Sequence, residues 1–212
     1  MTHPRSLLAS AVLLSMLTIG LPARAATVGV IDFPEGCAIA LRGAIQPDDV
    51  TRFERATIER PECLGIALDG QFGQDQAALR IGAIIRRRGM LTTVPAGAAC
   101  AGPCFYVFCA GTIRIVDPKG KLGVRMPTFA RSEPIVREIR GLIQKHGVAA
   151  AEPVISSAER IAFQVAATLG QYLIAMGVSP AVLAVTAETS ESTTRWLSPE
   201  QMTELKLIVA PK

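Results

Sequence analysis

Short apolar runs alternate with longer stretches whose apolar positions recur at helical spacing, and this alternation organises most of the chain. Val28 to Ile31 and Cys37 to Leu41 read as strands. Pro47 to Ile58 then reads as a helix with proline near its start, and Cys63 to Leu68 as a third strand. From Gln74 to Arg88 the residues Ala77, Ala78, Ile81, Ile84 and Ile85 share one helical face, and Gly89 closes that helix. Met90 to Val94 predicts a strand, Pro103 to Cys109 a short helix, and Thr112 to Val116 and Leu122 to Arg125 two more strands. Beyond Glu133 the pattern turns helical, through Pro134 to Lys145 and Ser156 to Met176. Ser198-Pro199-Glu200-Gln201 is a helix start, with a serine cap, proline in first position and glutamine three after the cap. Strands interleaved with helices in this way imply an α/β fold with parallel pairing.

The first 26 residues follow a different pattern. A basic start, Met1 to Arg5, leads to an apolar run from Ser6 to Leu21 and then to Pro22-Ala23-Arg24-Ala25-Ala26, with small residues where a leader-removing peptidase reads. The run is shorter than the ~20 apolar residues a membrane span needs. We therefore expect a signal peptide over residues 1–25, a single domain over residues 26–212, and a periplasmic or secreted product with no membrane attachment after cleavage. No cysteine follows the cleavage point, which argues against a lipid anchor. The remaining 187 residues suffice for one sizeable core. Losing Arg5 and Arg24 changes the balance from 22 basic and 18 acidic residues to 20 and 18, which gives no reason to expect a nucleic-acid partner. The dense basic run Arg86-Arg87-Arg88 closes a predicted helix, where cations are favoured.

All five cysteines lie after the leader, in what export makes an oxidising space, and an odd count leaves at least one unpaired within the chain. If the runs opened by Cys37 and Cys63 are neighbouring parallel strands, both sulfurs lie at one sheet edge and can bridge. Cys100 and Cys104 are about one helical turn apart, and Cys109 falls inside an apolar helix as a small hydrophobe. Connectivity is not fixed by sequence. His146, the only histidine after the leader, sits in the last turn of a predicted helix closed by Gly147, a place for a cap or surface residue. No serine occurs from Ala26 through Arg131, so the α/β part of the chain offers no serine nucleophile. No Cys-x-x-Cys spacing occurs, so neither a metal nor another cofactor is expected. Asp48-Asp49 suits a helix start, while Asp69 and Asp75 flank one loop and could line a common cleft.

The segment Cys100-Ala101-Gly102-Pro103-Cys104 resembles the Cys-Ala-Ser-Ala-Cys signature of Clp-protease-like periplasmic proteins of the crotonase superfamily. Leu68-Asp69-Gly70-Gln71-Phe72-Gly73, followed by Ala78-Leu79-Arg80-Ile81-Gly82, is similar to that family's Leu-Asp-Ser-Pro-Gly-Gly before an Ala-Leu-Arg-Ile-Gly helix. Tyr172 to Pro180 and Arg195 to Glu200 look like its ending, so the resemblance runs from about Cys37 to the end. It implies a crotonase-like ββα superhelix with a mainly parallel sheet and a helical C-terminal portion. The family also carries a cysteine pair matching Cys100 and Cys104. The same resemblance puts Gly102 where the family has its serine nucleophile, and Arg125 where it has the histidine of a Gly-Val-His strand. Phe72 stands at the first of two oxyanion glycines and Gly73 at the second. Arginine stays protonated near neutrality and cannot serve as a general base.

Two functions are expected from this contrast. The favoured one is an exported, non-catalytic binding or scaffold protein whose cleft, lined by Phe72, Gly73, Gly102, Met90 and Arg125, holds a peptide or an acidic group. Arg125 would recognise a carboxylate there, unless it pairs internally with an acid such as Asp69. The alternative is a peptidase-like hydrolase with Cys104 or Cys109 as replacement nucleophile, which needs a free thiolate and a base. Acyl-coenzyme A chemistry of the crotonase kind needs two oxyanion amides, and Phe72 disrupts the glycine pair. Analogy with related folds also predicts a homo-oligomer.

Overall fold

The computed structural model describes residues 26–127, 133–190 and 192–208. The expected signal peptide lies outside these. The chain opens with an antiparallel hairpin, β1 (Thr27–Phe33) and β2 (Gly36–Arg42), both longer than the apolar runs that predicted them. Backbone pairing carries each strand past its apolar stretch into the turn at Pro34-Glu35, which periodicity alone does not reveal. Next come α1 (Pro47–Glu59), β3 (Gly65–Asp69), α2 (Asp75–Arg87) and β4 (Leu91–Val94). The pair β5 (Ala99–Cys100) and α3 (Pro103–Cys109) is followed by β6 (Arg114–Val116) and β7 (Lys121–Val124). Five strands form one sheet in the order β1-β2-β3-β4-β6, antiparallel only between β1 and β2. The chain is therefore α/β with mixed sheets.

The last third is helical: α4 (Glu133–His146), a short 3-10 helix (Val148–Ala151), α5 (Glu152–Ala175) and α6 (Val182–Ala187). The two-residue strand β8 (Arg195–Trp196) and α7 (Pro199–Glu204) complete it. β5, β7 and β8 make a second, three-stranded sheet. At α7 the capping box forms as its spacing predicts: Ser198 Oγ accepts from Gln201 N at 3.3 Å, and Gln201 Oε1 accepts from Ser198 N at 3.0 Å. The 3-10 helix, α6, β5 and β8 carry too few residues for a periodic signal in the sequence.

The core lies between the five-stranded sheet and α1, α2 and α3. Ile39, Ile66, Leu68, Ile81, Ile85 and Phe108 are fully buried in it. Every side chain of α3 is buried, as its all-round apolar sequence demands. Gly82 lets α2 approach: a Cβ there would strike the hydroxyl of Tyr172, which donates to the Tyr106 carbonyl at 2.7 Å. Arg114, 2 % exposed, donates to the carbonyls of Cys109, Gly111, Met176, Lys206 and Leu207, tying the ends of α3, α5 and α7 together. Arg86 caps Met176 O at 2.6 Å and Arg88 caps Thr57 O at 2.9 Å, so two members of the basic run serve other elements' backbones.

Parallel pairing of β2 with β3, in the register Ala38 to Gly65, brings Cys37 and Cys63 to one edge, and they form a disulfide with Cα atoms 4.8 Å apart. Cys63 itself precedes β3, which starts two residues later than expected. Closing a loop of this length is worth roughly 3–4 kcal/mol in the chain-entropy account. Cys100 and Cys104 form the second disulfide, and Cys109 is free and buried.

Candidate functional site

Strand register decides which residues meet. β5 and β7 are parallel with Cys100 opposite Leu122, so Gly102, two residues on, and Arg125, three residues on, emerge at the same C-terminal edge. Ligands of α/β proteins bind at such edges, where strand ends and helix starts leave amides unpaired. Gly70 joins them: it donates to Ala99 O at 2.9 Å and accepts from Ala101 N at 3.0 Å, which lays the loop of residues 70–73 along Gly102.

That loop keeps its course because two of its positions have no side chain. Gly73 has φ +127°, and a Cβ there would fall on the Ile45 backbone. Ile45 N donates to Phe72 O at 3.0 Å, and Ile45 O accepts from Gln74 N at 2.8 Å. A Cβ on Gly70 would meet Gly43 O. Among the described residues the amides of Gln71, Phe72 and Gly73 find no acceptor.

Gly102 caps α3 with φ +56° and ψ −125°, the kind of tight strand-to-helix turn on which hydrolases display a nucleophile. Here the turn displays nothing. A Cβ added at Gly102 would stand 3.2 Å from the Gln71 carbonyl oxygen, so this wall of the cleft is backbone. The following residue, Pro103, has no N–H, and the amide that would normally face developing negative charge after a nucleophile is missing.

Opposite this wall stands Arg125. Its Nε and a terminal nitrogen donate to Thr194 Oγ1 at 3.2 and 2.7 Å, and its guanidinium lies 4.6 Å from the centre of the Phe72 ring. The antiparallel pairing of Val124 with Arg195 explains the first contact, since the next pair outward sets Arg125 against Thr194. Gly123 permits that approach; a Cβ there would crowd Trp196 and Thr194. Phe72 is 60 % exposed, and its ring makes a platform for the cation. Partial burial lowers the Arg125 pKa. The internal pairing with Asp69 does not form: Asp69 Oδ1 accepts from Ala99 N at 3.1 Å.

Phe72, Gly73, Gly102 and Arg125 thus meet at one edge, but Met90 does not join them. It is 2 % exposed and precedes β4, at the opposite end of the strand from the site. Neither candidate thiol is poised to react. Cys104 is bonded to Cys100, and burial pushes the Cys109 thiol up to about 12, far from the lowered values of nucleophilic cysteines. Asp75, buried at the start of α2, has its carboxyl pushed up by burial to about 6. Among the described residues, Cys37, Glu62 and Cys63 are close enough together to suggest a metal, but both sulfurs are committed to the disulfide.

Beyond Arg125 the chain continues through Met126 and Pro127 into the wall of an apolar cavity of about 450 Å³, which α4, α5 and α6 complete with Ile139, Val165, Leu169 and Leu183. Thr194, Gln71 and Pro103 are the site residues that sequence reasoning passed over. Thr194 is placed by a two-residue strand without a pattern of its own, whereas the missing amide of Pro103 was there to be read.

No protein-family model matches the sequence, and no curated protein matches it. Among solved structures, a mutant of the 1510-N membrane-bound stomatin-specific protease is similar at 14 % identity over 80 % of this chain and 75 % of its own, with a TM-score of 0.48. Another mutant of the same protease, in complex with a substrate peptide, gives 15 % identity over 80 % and 71 %, with a TM-score of 0.49. A probable enoyl-CoA hydratase/isomerase from Mycobacterium abscessus gives 12 % over 46 % and 49 %, with a TM-score of 0.37.

Proposed function

We propose that this chain is an exported, non-catalytic protein of the Clp-protease-like crotonase type, a single domain over residues 26–212, whose cleft binds an acidic group on a peptide or protein. The observation that carries the proposal is the posture of Arg125. Its guanidinium is steadied by a hydroxyl and an aromatic face, and among the described residues no carboxylate neutralises it. Arginine held in this way keeps its remaining donors for a bidentate acceptor. The unpaired amides of residues 71–73 lie on the same loop as Phe72, and the apolar cavity begins at the next residue, Met126. A peptide carboxylate followed by apolar side chains suits that sequence of surfaces.

Support for the missing catalysis is chemical. Gly102 has no side chain, Arg125 cannot accept a proton, Cys104 is in a disulfide, and Cys109 is buried with a raised pKa. Support for the superhelical reading is the repeating order of a strand in the large sheet, a strand or bridge in the small one, and then a helix. The two disulfides suit an oxidising compartment. Among the described residues no helix is long and apolar enough to cross a membrane.

Calorimetric titration with apolar pentapeptides ending in a free carboxylate, and with their amidated counterparts, tests the proposal. The carboxylate series should bind the exported protein, with amidation or Arg125→Gln each weakening affinity about 10- to 100-fold, the value of one charged hydrogen-bonded contact. Equal affinities for the two series, or no binding of either, would overturn it.

A further inference from the structure

The amide nitrogen of Ala26 stands 3.3 Å from Oδ2 of Asp49, and both residues are buried, Ala26 at 1 % and Asp49 at 0 % exposure. Asp49 lies in the first turn of α1, and its carboxylate is already engaged: Oδ2 also accepts from Gln46 N at 2.7 Å, and Oδ1 is paired with Arg52. The Arg52 side chain is 45 % exposed, so its charge is shared with solvent and only partly offsets that of a carboxylate withdrawn from water. The Gln46 bond is the ordinary reciprocal bond of a capping box, but complete burial is not ordinary, since a helix-start aspartate usually sits at the surface beside the dipole. The arrangement suits a second cation at the Ala26 nitrogen.

We infer that removal of the leader creates that cation, and that the new α-ammonium of Ala26 forms a buried ion pair with Asp49 which locks β1 onto α1. The inference rests on the export reading of the preceding subsection. In the step itself, a leader-removing peptidase of the export route adds water across the Ala25–Ala26 bond. The carboxylate leaves with Ala25, and the freed amine of Ala26 takes up a proton. A neutral amide at 3.3 Å is thereby replaced by a charged group with three donors, facing a carboxylate where water does not screen the attraction. The pair is specific to one start site. A chain beginning at Thr27 has lost the nitrogen, and one beginning a residue earlier keeps an uncharged amide there. Processing thus does more than release the protein: it completes the packing of the edge strand.

The test uses the full chain exported with its own leader, compared with a chain carrying one glycine inserted between Ala25 and Ala26, each with and without Asp49→Asn. Intact mass should show a start at Ala26 in the parent. Under native conditions an acetylating reagent should modify the parent's α-amine at least about tenfold more slowly than that of the insertion chain, because a buried amine reacts only after local opening. The insertion should lower Tm by about 5–15 °C in the parent background, as loss of one partner of a buried pair does, and should cost nothing further once Asp49 is Asn. An uncleaved leader would refute the export reading, and the inference with it. A start at Ala26 with a freely reactive amine, or an equal Tm loss in both backgrounds, would refute the ion pair alone. Should Asp49→Asn fail to fold, the reactivity comparison decides.

Discussion

At the scale of single residues, buried charge is where this protein departs most from what its side chains do in water. Asp75 is the clearest case. Burial disfavours its carboxylate and raises the pKa from the ordinary 3.8 to about 6, so the folded state prefers the protonated form. Its contribution to stability is full below the unfolded value and is lost as pH rises through the folded one. We predict that Asp75→Asn matches the parent near pH 4 and exceeds it at pH 7 by about 1–3 kcal/mol, part of the gain being offset by the lost charge at a helix start. Urea unfolding at the two pH values checks this, and an equal gap at both would contradict it. The candidate site shows how far residue identities alone could be read. Gly102, Phe72 and Arg125 stand out by what they replace in a resembling pattern and Gly73 by what it keeps, and the structure gathers them at one edge. Met90 could not be placed without knowing in which direction β4 runs, since a strand carries apolar residues to both its ends.

At the scale of elements, long amphipathic stretches were legible and short ones were not. α2 and α1 announce themselves because 13 residues hold several repeats of the helical period. β8, two residues long, holds none, yet it supplies the register that sets Thr194 against Arg125. α5 was legible as a helix, but its environment was not. Ile155, Phe163 and Ile174 are 57 %, 77 % and 63 % exposed and fall within about 100° of one another around its axis. Such a stripe suits contact with a second copy of the chain, in keeping with the expected homo-oligomer. Sedimentation of the exported protein at micromolar concentration should show self-association, weakened about 10-fold or more by Phe163→Glu, since burying one such ring is worth about 1.5–3 kcal/mol. A monomer at tens of micromolar would contradict this.

At the scale of the whole molecule, the proposed exported, non-catalytic binder would unite two disulfides with a cleft in which Gly102 and Arg125 stand where the resembling family has its serine and histidine. The disulfides fasten opposite parts of the α/β core, one at the start of β2 and the other at the turn bearing Gly102. That second bond holds the cleft's backbone in shape while committing the sulfurs of both Cys100 and Cys104. A cation on an aromatic platform, loop amides that find no acceptor among the described residues and an apolar cavity are surfaces suited to holding a chain end without cutting it, which is the role we propose. Incubation of the exported protein with a diverse peptide library, followed by mass spectrometry of the products, addresses that claim most directly. A non-catalytic protein should give a product spectrum indistinguishable from buffer at every protein concentration. Fragments that share a cleavage preference and grow in proportion to the protein added would contradict it.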